Sequence, residues 1–319
     1  MSSKGAAGRQ GGCWNCTGIV SSYGNSVNRA FGPGRNPAPE WQIKESRNQA
    51  GERTGAPAAC HIGMAFGEMR PMSGENRARM AAAQLGASMV KDGMIVGLGT
   101  GRAASTAITA LGGRIRTEGL KVTGIPTSRA SHALGLELGI PLVEPGSLAR
   151  LDITLDGADE VDPSLNVIKG GGGALVREKL LASASDCVVL MIEEPKEVER
   201  LGRFPLPIAV IPFAWRNTAS RIEAACGKPT TLRQAGGAPY VTDDGLYILD
   251  VAAGLIDDPA DFGEHLKHIV GVVEVGLFLG LCHRLIIGHP DGTATVRVKD
   301  SDGGSPGELN AVSGSRESW

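Results

Sequence analysis

The chain has 319 residues, room for one large domain or two ordinary ones, and at 42% hydrophobic it can bury a sizeable core. A formal net charge of -2 offers no basic excess for nucleic acid or an anionic membrane, and no apolar run reaches the ~18 residues of a membrane-spanning helix. Aromatic residues are only 4%, so Ala, Val, Ile and Leu must build the interior.

Residues 1–72 are rich in Gly, Ser, Asn, Pro and Arg without helical or strand period, and are expected to be a disordered extension. They begin with polar Met-Ser-Ser-Lys rather than an apolar signal region. Cys13 and Cys16 form a C-x-x-C, with Cys60-His61 far downstream; the second pair of a zinc site is missing at the usual spacing, so an adventitious tail is the stronger reading. Asn15-Cys16-Thr17 is a glycosylation sequon by pattern alone. Six cysteines over such a length do not suggest a disulfide framework, and a reducing cytoplasm is expected.

From there strand and helix patterns alternate: helix over 78–90, strand over 94–98, helix over 103–111, strand over 121–125, helix over 130–138, strand over 153–155, helix over 174–184 and a strong buried strand over 187–192. That order predicts an α/β fold with a parallel sheet covered on both faces. After Phe204 the pattern changes. Pro205, Pro207 and Pro212 punctuate a strand over 208–211, and a helix follows over 218–226. Tyr240-Val241, an Asp243-Asp244-Gly245 turn and a strand over 247–251 read as a hairpin. A helix over 261–269 and a strand over 272–275 complete a small α+β unit. Strands over 285–288 and 295–298 return to the large sheet, and residues 300–319 are expected to be a disordered tail. The expected domains are 73–202 with 279–299, and 203–278 inserted between them.

Three motifs carry chemistry. Gly97-Leu98-Gly99-Thr100-Gly101-Arg102 lies between a strand and a helix, where backbone N–H groups and the helix N-terminus favour an anion and Arg102 can grip phosphate. A dinucleotide site fits less well, because Arg102 breaks the G-x-G-x-x-G and no ribose-binding acid follows at the right distance. Asp156-Gly157-Ala158-Asp159-Glu160 follows a strand, where such folds bind ligands. Two acids three residues apart can hold different protonation states; a solvated turn, or a divalent cation site with Asp152 and Asp162, is the alternative. Lys169-Gly170-Gly171-Gly172-Gly173-Ala174 ends at a helix start, with Lys169 able to face a developing oxyanion. Glu178 lies about one turn into that helix, so it can face back over the glycine loop; taken alone, beside Lys179, it reads as an exposed acid. Together, a phosphate cradle, an acid pair, a lysine and a further carboxylate are the parts needed to enolise a sugar phosphate.

These motifs, with F-P-L-P at Phe204 to Pro207, V-T-D-D-G at Val241 to Gly245 and H-P-D-G at His289 to Gly292, resemble the ribose-5-phosphate isomerase type A family over about Glu75 to Lys299. The resemblance implies a Rossmann-like catalytic domain with an inserted ferredoxin-like domain, and a homodimer or homotetramer. It implies interconversion of ribose 5-phosphate and ribulose 5-phosphate without metal, nucleotide or other cofactor, with a small sugar phosphate rather than nucleic acid or membrane as partner. Glu178 would be the base between C1 and C2, Asp156 would assist ring opening and proton movement among oxygens, and Asp159 and Lys169 would stabilise the enediolate. Thr100, Gly101, Arg102, Ala103, Gly157, Ala158, Gly170, Gly171, Gly172 and Lys196 would line the ligand site.

Three positions depart from the family pattern. Arg102-Ala103 stands where Ser-Thr is frequent, Arg79 where a phosphate-binding lysine falls, and Glu193-Glu194 where smaller polar residues are expected before Lys196. Amino-sugar-phosphate deaminases, sugar-phosphate lactonases and CoA transferases share related architecture, but D-G-A-D-E paired with K-G-G-G-G favours the isomerase over these and over a non-catalytic sensor.

Overall fold

The computed structural model describes residues 72–144, 146, 150–299 and the backbone of 307–309. The N-terminal extension with its C-x-x-C and sequon, and most of the stretch after Asp300, lie outside the described residues.

The first half alternates as expected: α1 (Gly74–Ser88), β1 (Ile95–Leu98), α2 (Arg102–Glu118), β2 (Thr123–Pro126), α3 (Arg129–Glu137) and β3 (Leu151–Gly157). Helix α1 starts four residues before the predicted position because Ser73 caps it, its hydroxyl accepting the Asn76 N–H at 3.2 Å. Helix α2 runs past the predicted stop at Leu111: Gly112 is wanted there, since a Cβ would come within 2.8 Å of the Leu138 Cβ, and the helix ends at left-handed Gly119.

Two short strands, β4 (Glu160–Val161) and β5 (Val167–Ile168), precede α4 (Leu175–Ser183) and β6 (Ser185–Glu193). The second half contains β7 (Leu206–Val210), α5 (Trp215–Cys226), β8 (Thr230–Leu232), β9 (Gln234–Ala235), β10 (Ala238–Pro239), β11 (Tyr247–Val251), α6 (Pro259–Lys267) and β12 (Val272–Val275). It closes with β13 (Leu277–Phe278), β14 (Arg284–Gly288), β15 (Ala294–Val298) and β16 (Gly307–Leu309).

The main sheet has seven strands in the order β16-β15-β14-β6-β3-β1-β2. Strands β2, β1, β3, β6 and β14 run parallel, and β15 and β16 add an antiparallel edge, so the sheet is mixed rather than purely parallel. Gly307–Leu309, within the stretch read as a tail, supplies that last strand.

Side chains of β6 alternate between two cores, as a strand covered on both faces requires. Val189 and Met191 pack with α1 and α2, whereas Val188, Leu190 and Ile192 pack with Leu175 and Ala182 of α4. The face of α1 on the sheet is built from Ala78, Ala82, Ala83, Gly86 and Ala87, and the helix lies so close that a Cβ at Gly288 would fall 1.9 Å from the Ala78 carbonyl.

A four-stranded antiparallel sheet, β12-β7-β11-β8, encloses a separate core with α5 and α6. The expected hairpin over 240–251 is corrected: Tyr240-Val241 forms no strand, and β11 pairs with β7 and β8. The hairpin lies earlier, where β9 and β10 flank Gly236-Gly237, both with positive φ as a tight two-residue turn demands. The turn at Asp243-Asp244-Gly245 is present, closed by the Gly245 N–H on the Thr242 carbonyl at 2.9 Å. A three-stranded sheet, β13-β5-β4, went unread because its strands are two residues long. Among the described residues no helix is long and apolar enough to cross a membrane.

Candidate active site

Each chemical motif follows a strand. Gly99–Gly101 links β1 to α2, Asp156 and Gly157 end β3, and Lys169 leaves β5 toward the glycine run that opens α4. The backbone approaches closely here: a Cβ on Gly99 would lie 2.2 Å from Asp156 Oδ1. Strand β3 places Asp156 beside that loop, and the Asp156 carboxylate accepts N–H groups of Gly157 (2.7 Å) and Thr100 (3.3 Å).

Lys169 is the centre of the cluster. Its Nζ lies 2.9 Å from Asp156 Oδ2 and 3.2 Å from Glu178 Oε2, and it donates to the Gly157 carbonyl at 2.6 Å. All three side chains are buried, between 2% and 4% exposed. Its main chain is fixed by donation to the Gly276 carbonyl at 2.9 Å, beside β13, and the ammonium stands 5.5 Å from the Phe278 ring centroid.

Glu178 is not the exposed helix acid its neighbours suggest. Helix α4 buries Leu175, Glu178, Leu181 and Ala182, so Glu178 occupies the position three residues after Leu175 on the inward face. Apart from the Lys169 ammonium at 3.2 Å, Glu178 Oε2 has no polar partner among the described residues. Burial drives the Glu178 carboxyl upward; Lys169 opposes and Asp156 adds to the rise, leaving it at about 8. Burial likewise raises Asp156, against the pull of Lys169. For Lys169, burial lowers the ammonium, but Asp156 and Glu178 outweigh it and hold the group above its ordinary value.

The other expected residues fall around this triad. Asp159 is half-buried and its carboxylate accepts the Gly171 N–H at 2.7 Å, so it holds the glycine loop instead of touching Lys169. Thr100 Oγ1 lies 2.7 Å from Thr127 Oγ1 and 2.8 Å from Ser128 Oγ, hydroxyls the sequence reading did not single out. Gly171 and Gly172 are exposed, and Ala103 and Ala158 are buried. Gly101 caps α2, and among the described residues no side chain caps the first turn of that helix. Of the other acids in the alternative cation site, Asp152 accepts the Ile95 N–H at 2.7 Å and Asp162 closes the β4–β5 turn on Asn166, so neither joins Asp156.

The charged departures form a relay of alternating sign. Arg102 Nη1 lies 2.9 Å from Glu75 Oε1, which also pairs with Arg79; Arg79 pairs with Glu193, and Glu193 with Lys196 at 3.0 Å. Burial would raise Glu193, but Lys196 and Arg79 bring it below its ordinary value. Its extra negative charge is therefore neutralised by cations on both sides, while exposed Glu194 approaches His289 at 3.5 Å.

The residues from 123 to 292 match the family model for ribose 5-phosphate isomerase A (phosphoriboisomerase A). A ribose-5-phosphate isomerase A from Ruegeria sp. is 46% identical over 237 residues, covering 72% of this chain and 89% of the relative. The chain belongs to the ribose 5-phosphate isomerase A family. The solved ribose 5-phosphate isomerase A of Methanocaldococcus jannaschii is similar at 37% identity and a TM-score of 0.67, covering 70% of this chain and all of that one. A D-ribose-5-phosphate isomerase solved with phospho-erythronic acid matches at 33% identity and a TM-score of 0.67, over 69% of this chain and 97% of its own.

Against that family background, further residues reach the site from the second sheet. Arg233 donates to the Gly170 and Gly171 carbonyls, and Tyr240 leans on Gly173, where a Cβ would meet its hydroxyl oxygen at 2.3 Å. Their only signal in the sequence is chemical type, since they lie about 60 residues or more from the loop they touch.

Proposed function

We propose that Glu178 is the base of an aldose–ketose isomerisation, with the Lys169 ammonium as the electrostatic partner of the intermediate. Family membership makes the chain an isomerase interconverting D-ribose 5-phosphate and D-ribulose 5-phosphate. The observation that carries the residue roles is the buried meeting of Lys169 with Asp156 and Glu178, in which one ammonium stands between two carboxyls.

A proton on carbon beside a carbonyl is weakly acidic, so catalysis requires stabilisation of the enediolate above that of the substrate. In the open-chain aldose, Glu178 takes the C2 proton and the C1 carbonyl oxygen gains the electron pair, facing Lys169. The O2 hydroxyl proton passes to O1 through Asp156, and Glu178 returns its proton to C1, giving the C2 ketone and the starting enzyme. A carboxyl raised to about 8 is a stronger base than an ordinary glutamate and ionises near neutral pH. Asp159 acts in this scheme by fixing the glycine loop through Gly171.

The phosphate binds, in the same reading, at the open N-terminus of α2, with Thr100, Gly101 and Ala103 lining the loop and Arg79, Arg102 and Lys196 supplying positive charge. The second sheet and its helices, within 203–278, form a ferredoxin-like domain inserted into a Rossmann-like one. A homodimer or homotetramer in the cytoplasm completes the reading, and sedimentation at several protein concentrations tests the assembly.

The deciding experiment is incubation of ribose 5-phosphate with enzyme in heavy water, followed by NMR. Ribulose 5-phosphate carrying carbon-bound deuterium is expected from the wild type, and neither product nor washed-in deuterium from Glu178→Gln. Full exchange by that variant would remove Glu178 as the base.

A further inference from the structure

Arg233 lies outside the triad, yet among the described residues every hydrogen bond of its side chain ends on the loop beside it or on the acid that orients it. Strand β8 ends one residue before it, and its backbone is pinned at both polar groups: its N–H donates to the Ile248 carbonyl and its carbonyl accepts from Tyr240, each at 2.9 Å. The side chain is only 16% exposed. Asp250 on β11 takes Nε at 2.9 Å and Nη2 in a two-pronged pair, which fixes the plane of the guanidinium. The remaining nitrogen, Nη1, donates to the Gly170 carbonyl at 2.8 Å and the Gly171 carbonyl at 3.0 Å.

Gripping two successive carbonyls has a geometric consequence. In a trans peptide the C=O of one residue and the N–H of the next point to opposite sides. With the Gly170 and Gly171 oxygens drawn to Arg233, the N–H groups of Gly171 and Gly172 are aimed away from it. The first is taken by Asp159 at 2.7 Å. The second has no acceptor among the described residues, and Gly172 lies next to Thr100, whose Cγ2 would be 3.6 Å from a Cβ there. A cation on the carbonyl side also polarises each peptide and makes its N–H a better donor.

We propose that Arg233, held by Asp250, is a positioning residue for isomerisation: it orients the Gly170–Gly172 peptides so that the Gly172 N–H donates to the enediolate oxygen and Asp159 is kept in register. The proposal rests on the isomerase reading above and adds to that site the side-chain support that aims its glycine-loop backbone. Glycine explains why the loop needs such a brace: Gly170 has φ +110 and a run of glycines has many conformations to lose.

The test is steady-state isomerisation of ribose 5-phosphate by Arg233→Ala, Arg233→Lys and wild type, with melting curves for each. Arg233→Ala is expected to lower kcat at least about tenfold with KM changed less than about threefold, and free guanidinium at non-denaturing concentration is expected to restore part of the loss. Arg233→Lys, which retains charge but cannot span both carbonyls, is expected to stay folded and still lose kcat, and it decides the matter if the alanine variant does not fold. Wild-type kcat in a folded variant overturns the proposal, as does a loss that only tracks unfolding and gains nothing from guanidinium. A wild type that does not isomerise the sugar would instead overturn the functional reading.

Discussion

Lys169 Nζ stands 3.2 Å from Glu178 Oε2, and both side chains are almost wholly withdrawn from water. Burial makes each charge costly alone, and the pair with Asp156 carries one cation between two carboxyls. One proton is therefore easily kept on the acids when no ligand is bound, and the upward shift of Glu178 is the expression of that frustration.

The shift sets a pH dependence. A base must be ionised to act, so kcat/KM should rise with pH and level off above about 8, the value for Glu178 in the free enzyme. Stability should move oppositely. Glu178 binds its proton more tightly folded than unfolded, so the folded state loses this advantage as pH climbs from the ordinary value of 4.5 through about 8. Melting temperatures of Glu178→Gln should decline less over that window than those of wild type; parallel curves would contradict the buried, raised carboxyl.

Replacing Glu178 by Gln keeps shape and removes basicity. Turnover should drop by at least about two orders of magnitude, the usual worth of a positioned acid–base group, while the fold persists. A variant keeping more than half the wild-type kcat would remove the base assignment.

Lys169→Met leaves Asp156 and Glu178 buried without their cation. Removing one member of a buried ion pair typically costs about 3–5 kcal/mol, so chemical denaturation should show a large loss of stability. Where folded protein is obtained, kcat should suffer more than KM if the ammonium acts on the intermediate as proposed. An effect on KM alone would contradict the enediolate role.

Much of this site was legible in the sequence because its constraints are local. Gly99, next to Asp156, and Gly170, with φ +110, leave no room or no conformation for another residue, and such glycines announce themselves as runs. Glu178 was harder: its neighbour Lys179 suggested solvent, whereas its spacing from Leu175 and Leu181 puts it on the buried stripe. Arg233 was not legible at all, since a contact across 63 residues depends on how two sheets meet. The misplaced hairpin has the same cause: Tyr247–Val251 finds its partners in β7 and β8 rather than in the nearest extended segment.

Gly99→Ala tests the close approach directly. Its Cβ would meet Asp156 Oδ1 at 2.2 Å and the Leu155 carbonyl at 2.7 Å; the carboxylate can yield only by giving up the Thr100 and Gly157 N–H groups, and the carbonyl only by moving β3. Loss of nearly all activity is expected, with destabilisation of roughly 1–3 kcal/mol for overpacking. Activity near wild type would mean that the loop and Asp156 do not share this geometry in solution.

The last prediction concerns Glu75, which holds both Arg79 and Arg102 at the mouth of the proposed phosphate site. Its side chain is 54% exposed, so it contributes little to stability. If phosphate binds as proposed, Glu75 competes with it for two guanidinium groups. Glu75→Gln should therefore lower KM for ribose 5-phosphate, and Arg102→Ala should raise it, each by roughly two- to tenfold at low salt, with kcat nearly constant. Raising ionic strength should shrink both effects, because Arg102 is largely exposed and its charge is screened. If Glu75→Gln leaves KM unchanged at low salt while Arg102→Ala raises it, the carboxylate is a bystander and Arg102 reaches phosphate without giving up a partner. If neither variant alters KM, phosphate is held by the backbone at the start of α2 alone.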